Sequence, residues 1–300
     1  MRKITLFVLF FTFSLLLKAQ SYIGFLTDNY SGVHGVISNP ASITDSRFKT
    51  DINLAGASFF GNNDYYGINI LDATKDGYSF DLEAKTDSKD SNSGGVNLDV
   101  LGPSFMFNLS KNSSIALFSR ARVMVNANNI SGASIESIDD DTTDDYSFED
   151  VNMSVLAHSW AEFGVTYART LLNKKQHVLK GGLSLKYLKG IGSVYAETRD
   201  ASIDYDADGI DLGGGEATGS ITTSGAFVYA RSDEFDDDDY DVELAKNASG
   251  FGADIGFVYE FRPDYADFES DDIKNNNYKH LNKYKFKVGV SVTDIGFVDY

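Results

Sequence analysis

The sequence predicts an all-β fold, specifically an antiparallel transmembrane β-barrel with short turns at one end and long acidic loops at the other. Three observations carry this prediction: an export signal at the N-terminus, a two-residue alternation of apolar and polar side chains, and an asymmetry between short and long connections. The 300 residues are enough for one large β domain with its own core.

The first twenty residues have the composition of a secretory signal peptide. Arg2 and Lys3 precede an apolar run that ends at Leu17, and Ala19 supplies the small residue expected at a cleavage site. The apolar run is shorter than the ~20 residues that a transmembrane helix needs. We therefore expect residues 1–20 to be removed on export rather than to anchor the chain.

Composition excludes several classes of function. The chain has no cysteine, which removes disulfide scaffolds, thiolate catalysis and cysteine-ligated metals. Its formal net charge of −18 argues against binding of nucleic acid, which requires clustered Lys and Arg. The hydrophobic fraction of 42% argues against a disordered chain.

Apolar and polar residues alternate along most of the mature chain. In 284–293, for example, Val288, Val290 and Val292 fall on one face, and Lys287 and Ser291 on the other. The same period predicts strands in 52–60, 64–70, 98–109, 114–125, 161–167, 183–187 and 251–261. A soluble β-sandwich would bury the apolar face, whereas a transmembrane barrel turns it to lipid. Strand lengths near the ~9–11 residues that cross a bilayer favour the barrel.

The connections differ in length and charge. Residues 110–113 and 172–177 form short turns, whereas 71–95, 126–157 and 190–247 are long and acidic. Outer-membrane barrels have short periplasmic turns and long external loops. We therefore assign residues 51–300 to a barrel domain whose acidic loops face outwards.

Several ionisable residues occupy the polar faces of the predicted strands. A central Arg or Lys on the lipid face would cost about 2–4 kcal/mol, so we expect these side chains to face the lumen. They could pair across a closed interior or line a polar path, and the sequence leaves both alternatives open. The lumen-facing candidates are Arg120, Arg122, Glu162, Lys186, Asp254, Glu260, Lys285 and Lys287.

Three segments carry a family resemblance. The Asn39-Pro40-Ala41 motif near the mature N-terminus resembles that of long-chain fatty-acid transporter barrels and their relatives in Bacteroidota. Segments 250–263 and 288–296 are similar to strands of Bacteroidota outer-membrane barrels, some of which serve type IX secretion while others form an uncharacterised family. The resemblance implies an outer-membrane location and an N-terminal plug in residues 21–50. It also implies more strands than the roughly eight that the alternation indicates, so we expect the barrel to continue beyond Tyr300.

One segment has the spacing of calcium ligands. Asp204, Asp206 and Asp208 stand at alternate positions before Gly209, as in the first half of a calcium loop. A complete EF-hand loop would have Glu at its twelfth position, where this chain has Gly215. Weak calcium binding and an acidic solvated loop both remain open.

We find no nucleophile motif, and the four histidines are scattered without a second metal ligand at suitable spacing. The sequence thus predicts a non-enzymatic outer-membrane protein with a role in transport or in envelope assembly and secretion. Its expected partners are outer-membrane lipid and secretion or envelope proteins. No cofactor is expected apart from weakly held calcium. The alternative is a secreted β-rich surface or adhesin module that binds calcium through its acidic loops.

Overall fold

The computed structural model describes residues 22, 24–77, 79, 84–139, 145–211, 217–232, 247–268 and 281–300. This part of the chain is predominantly antiparallel β-sheet, which confirms the predicted all-β class. The predicted signal peptide lies outside the described residues. The strands are β1 (Thr50–Asn53), β2 (Gly56–Asn63), β3 (Tyr66–Gly67), β4 (Lys85–Thr86), β5 (Asn92–Leu101), β6 (Ser104–Asn108), β7 (Ser113–Ile130), β8 (Tyr146–Val151), β9 (Ser154–Lys174), β10 (His177–Asp211), β11 (Ala217–Arg231), β12 (Ser249–Phe261) and β13 (Phe286–Asp299).

Helical segments are short. The longest described here is α3 (Gly132–Asp139), which the sequence pattern did not predict. The others are α1 (Gly35–Ser38), α2 (Ile70–Ala73) and the 3₁₀ turns Gly32–His34, Pro40–Ile43 and Tyr265–Phe268. In the part of the chain that the structure describes, no helix is long and apolar enough to cross a membrane.

One sheet of eleven strands dominates the fold. Its main path runs β1–β6–β7–β9–β10–β12–β13, with β5 and β2 continuing from β7. The 35-residue β10 pairs with β9 and β12 over its first half, and with β11 and β8 over its second. The described strands form an open sheet, because β13 pairs with β12 and with no other described strand.

The connections agree with the sequence only at the short-turn end. The tight turns after β6 and β9 are present, and Lys175 adopts a positive φ of 48° in the second of them. The prediction of a loop throughout 190–247 is wrong, because β10 continues to Asp211 and β11 occupies Ala217–Arg231. The density of acids obscured a real alternation here, in which Ile203 and Tyr205 recur at strand spacing and Tyr205 stacks on Tyr146 of β8.

The sheet turns most of its large apolar side chains outwards and buries charged ones on its other face. Leu185 and Val290 are each 62% exposed, whereas Glu162 is 1% and Lys186 4% exposed. The two faces follow directly from the pleat, since successive side chains point to opposite sides. This distribution is the reverse of a soluble sandwich, in which the apolar face is buried.

The N-terminal segment, residues 24–48, packs against the buried face. Its apolar side chains Val33, Val36 and Ile43 are fully buried together with Leu101 and Met106 of the sheet. The segment therefore lies against the face that carries the buried charged side chains, and its assignment as a plug stays a prediction.

Candidate functional site: a charged cluster on the inner face

Six strands contribute charged side chains to one cluster on the buried face. Its cations are on β7 and β10, and its carboxylates are on β5, β9, β12 and β13. The register aligns them across the sheet, since Arg120 is the partner of Glu162 and Ser184, two residues before Lys186, is the partner of Asp254. The cluster comprises Asp99, Arg120, Arg122, Glu162, Lys186, Asp254 and Asp294.

Arg120 and Asp99 form a bidentate pair. The Nε of Arg120 lies 2.8 Å from Oδ1 of Asp99, and a second guanidinium nitrogen donates to Oδ2. Both side chains are almost completely buried. Such fork-shaped pairs are the strongest of the charge-assisted hydrogen bonds, so this contact fixes the orientation of the guanidinium.

Glu162 is the centre of the cluster. Its carboxylate lies 3.4 Å from Arg122, 3.7 Å from Arg120 and 3.8 Å from Lys186. Oε1 also accepts a hydrogen bond of 2.8 Å from the indole N–H of Trp160, whose ring lies under the guanidinium of Arg122. Oε2 has no hydrogen-bond partner among the described residues, so it is held by charge alone.

Asp294 shows how strongly the sheet curves. Its carboxylate lies 2.8 Å from Arg122 on β7 and 2.7 Å from Lys186 on β10. Strand β13 is four strand spacings from β7, which is an arc of about 19 Å along the sheet at ~4.8 Å per strand. Side chains can meet across that arc only if the sheet curls around them. The charged face is therefore concave, and the apolar face is convex.

The cluster nearly balances its charges. Three cations face four carboxylates, and each cation contacts at least two of them. Buried charges are tolerated when paired in this way, whereas an unpaired one is very costly. The arrangement offers a polar, charge-balanced inner wall. Among the described residues no three His, Asp or Glu side chains are placed to hold a metal ion together.

A second ionic group joins the N-terminal segment to the sheet. Asp45 lies 2.7 Å from Arg262 and 3.6 Å from Lys180, and Lys180 lies 2.6 Å from Glu260. Burial raises the pKa of the Asp45 carboxyl, but the two cations outweigh it, so the net shift of that pKa is downwards. Asp45 is thus held ionised as an anchor for the segment.

The Asn39-Pro40-Ala41 motif is seated directly on β10, β12 and β13. The Asn39 side chain caps the 3₁₀ turn by accepting from the Ala41 N–H, and its amide donates to the carbonyls of Phe257 and Val290. Gly182 and Gly256, which are register partners, leave the room for this approach. A Cβ at Gly182 would lie 2.5 Å from the Ala41 nitrogen.

The predicted site residues divide into three groups. Six of the eight lumen-facing candidates are buried on the concave face, namely Arg120, Arg122, Glu162, Lys186, Asp254 and Glu260. Lys287 is more exposed and donates a hydrogen bond of 3.1 Å to Asn29 of the N-terminal segment. Lys285 precedes β13 and is exposed, and its backbone N–H donates to the Phe261 carbonyl.

The calcium-ligand candidates lie on a strand instead of a loop. Asp204, Asp206 and Asp208 are exposed side chains of β10, and Oδ1 of Asp206 accepts from the Gly209 N–H. Their alternate spacing is therefore strand periodicity, broken by a register shift after Asp206. Calcium binding by these residues stays a prediction.

Five charged residues of the two ionic groups were not among the candidates, namely Asp45, Asp99, Lys180, Arg262 and Asp294. Asp99 lies inside the predicted strand 98–109, and Lys180 continues the alternation of 183–187 towards the start of β10. Trp160 is two residues before Glu162 on the same face. Alternation along the sequence does not place Asp294 on this face, because an irregularity in the pairing of β12 and β13 lies at Asp294, whose φ is +60°.

Comparison with known proteins leaves the chemistry open but places the chain in a family. No curated protein and no solved structure matches the chain. The family model DUF5723, described as a family of unknown function, matches residues 40–300. The match begins at Pro40 of the seated motif and covers every strand described above, so the chain belongs to the DUF5723 family.

Proposed function

We propose that the protein is an outer-membrane β-barrel, exported by its N-terminal signal, with a role in transport or in envelope assembly and not in catalysis. The observation that carries the proposal is the inverted sheet, with apolar side chains on the convex face and charged ones buried on the concave face. Membrane barrels have this distribution because lipid surrounds them and the lumen is polar.

The convex face would be poorly solvated in water. Large apolar side chains are exposed on all five of its strands from β7 onwards along the main path, which are β7, β9, β10, β12 and β13. Soluble monomers rarely expose such continuous apolar surface. Those side chains include Leu117, Val123, Phe163, Val165, Tyr167, Leu183, Leu185, Tyr187, Phe251, Phe257, Val288, Val290 and Val292.

Strands β5, β7 and β9 to β13 are long enough to cross a membrane. The 13 residues of β12 rise about 43 Å at ~3.3 Å per residue, or about 33 Å along the normal at a ~40° tilt. The apolar band of an outer-membrane barrel is ~25 Å tall. The length of β12 therefore supports a spanning orientation.

The concave face supports a plugged interior. The N-terminal segment fills it near the short-turn end through Asp45 and Asn39, and the ion pairs around Glu162 fill it further along. Transport through such a barrel requires the segment to move aside. A role in envelope assembly does not require this movement, and lipid or envelope proteins would then be the partners.

The alternative, a secreted calcium-binding adhesin module, is less well supported. It would leave the convex apolar face in water, and its proposed ligands are spread along an exposed strand. Calcium binding in such a module would require Asp204, Asp206 and Asp208 to converge on one ion, whereas they are spaced along the extended strand β10.

Cell fractionation tests the proposal. We expect the full-length protein in the outer-membrane fraction, extracted only by detergent, with a gel mobility that changes on heating. Recovery of folded mature protein from the soluble or secreted fraction without detergent would refute the membrane assignment and favour the adhesin alternative.

A further inference from the structure

A cavity of about 310 Å³ lies between the N-terminal segment and the starts of β10 and β13. One wall consists of residues 26–47, and the other includes Lys180, Glu260 and the 283–291 stretch. It is separate from the charged cluster around Glu162. Its volume is at the lower end of the range for small-molecule sites.

The lining of this cavity is positive, although the protein is strongly acidic. Its charged members are Asp28, Asp45, Arg47, Lys180, Glu260, Arg262, Lys283 and Lys287, which is five cations against three carboxylates. Asp45, Lys180, Glu260 and Arg262 neutralise one another through their ion pairs.

Two lysines, Lys283 and Lys287, add positive charge to the wall of the cavity that faces the N-terminal segment. Lys287 donates to the Asn29 side chain and lies over the Tyr284 ring, and the charge of Lys283 contributes to the lowered pKa of Asp45. Both ammonium groups lie on the β13 side of the cavity, facing the N-terminal segment.

The opposite wall carries an unsatisfied hydroxyl. Thr44 lines the cavity, is 1% exposed, and its Oγ1 has no hydrogen-bond partner among the described residues. An unpaired buried hydroxyl costs about 1–3 kcal/mol. A ligand that accepts a hydrogen bond would remove this cost.

We propose that this cavity binds a small anion through a carboxylate or phosphate group. Lys283 and Lys287 supply charge-assisted donors, Thr44 supplies a neutral donor, and Ser38 and Ser42 add hydroxyls beside it. The site goes beyond the proposed membrane role and does not depend on it, because its walls belong to the chain itself.

Calorimetric titration of the full-length folded protein in detergent tests the site, with inorganic phosphate and succinate as probes at physiological ionic strength. We expect saturable binding of at least one probe, weakened about tenfold in Lys283→Gln and in Lys287→Gln, since one charge-assisted bond is worth about a factor of ten or more. Lys111→Gln is the matched control, because it removes the same charge from an exposed turn outside the cavity. Its affinity should equal that of the wild type.

Thr44→Val separates ligand binding from a purely structural role of the hydroxyl. We expect weaker probe binding together with a higher Tm without ligand, because the substitution removes the unpaired group and keeps the shape. Repeating the titration in phosphatidylglycerol and phosphatidylcholine nanodiscs distinguishes a free anion from a lipid phosphate. Loss of probe binding in phosphatidylglycerol nanodiscs but not in phosphatidylcholine nanodiscs would show that the bound anion is a lipid headgroup. Absence of saturable binding, or equal loss in Lys111→Gln, would overturn the proposal.

Discussion

Replacing Gly182 by alanine should weaken the docking of the N-terminal segment on the sheet. The added Cβ would lie 2.5 Å from the Ala41 nitrogen and 2.7 Å from the Pro40 oxygen, about 1 Å inside normal contact. Both atoms are backbone, so no side-chain rotation can relieve the overlap. The strand itself should tolerate alanine, which is no worse than glycine in a sheet.

The size of the effect follows from the packing. Overpacking of this kind costs about 1–3 kcal/mol, which raises the undocked population about 5- to 150-fold. The segment should nevertheless stay docked most of the time. Val33, Val36 and Ile43 are fully buried, and burial of each stabilises the docked state by about 1.5–3 kcal/mol, which together exceeds the cost of overpacking. We therefore expect frequent opening of the segment and an intact sheet.

Hydrogen exchange of the folded protein, followed by mass spectrometry, measures this opening. Amides of residues 32–43 should exchange about 5- to 150-fold faster in Gly182→Ala, while those of β9 and β10 keep their protection. Gly252→Ala is the matched control, because its Cβ would meet nothing closer than 3.4 Å. Unchanged exchange in Gly182→Ala, or the same acceleration in both variants, would refute the close packing of the Pro40–Ala41 backbone against Gly182.

Three further predictions concern the charged groups and the convex face. Asp99→Asn should destabilise the fold by about 3–5 kcal/mol, because the only carboxylate that Arg120 still contacts is Glu162, at 3.7 Å. Glu162→Gln should destabilise it by about 1–3 kcal/mol, because each cation that contacts Glu162 also contacts another carboxylate. Denaturant unfolding in lipid checks this order, and a larger loss in Glu162→Gln would contradict it. The lowered pKa of Asp45 stabilises docking of the segment above the ordinary carboxyl value of about 4, and this stabilisation is lost as the pH falls through the folded-state pKa. The protection factors of the amides at residues 32–43, which correct for the intrinsic pH dependence of exchange, should therefore fall in acid. Asp45→Asn should abolish this dependence; an unaltered pH profile of protection in that variant would exclude the anchor. Leu185→Arg should destabilise the protein by about 2–4 kcal/mol in lipid if it lies near the midplane, whereas Leu185→Ala serves as the uncharged control.

The sequence predicted the faces of the strands better than their ends. Alternation alone assigned Arg120, Glu162 and Lys186 to the polar face, because successive side chains of a recognised strand point to opposite sides of the sheet. It failed over 190–211, where the acids concealed a strand, and over 64–70, where only Tyr66–Gly67 is a strand and α2 begins at Ile70.

The cluster itself could be predicted only in part. Its members on regular strands follow from periodicity, but their pairing depends on the register and on the curvature, which are not local properties of the sequence. Asp294 is the clearest case. Simple alternation after Val292 would turn Asp294 outwards, and the bulge between the partners of Ala253 and Ile255 returns it to the concave face.

Lipid quenching along β10 tests the central claim, that the convex face contacts the membrane. The chain has no cysteine, so single cysteines at Leu183, Ser184, Leu185 and Lys186 can carry a fluorophore without background. In liposomes containing brominated lipid, we predict strong quenching at Leu183 and Leu185 and weak quenching at Ser184 and Lys186, which are buried on the concave side. Absence of quenching at Leu183 and Leu185, or equal quenching at all four positions, would contradict the account.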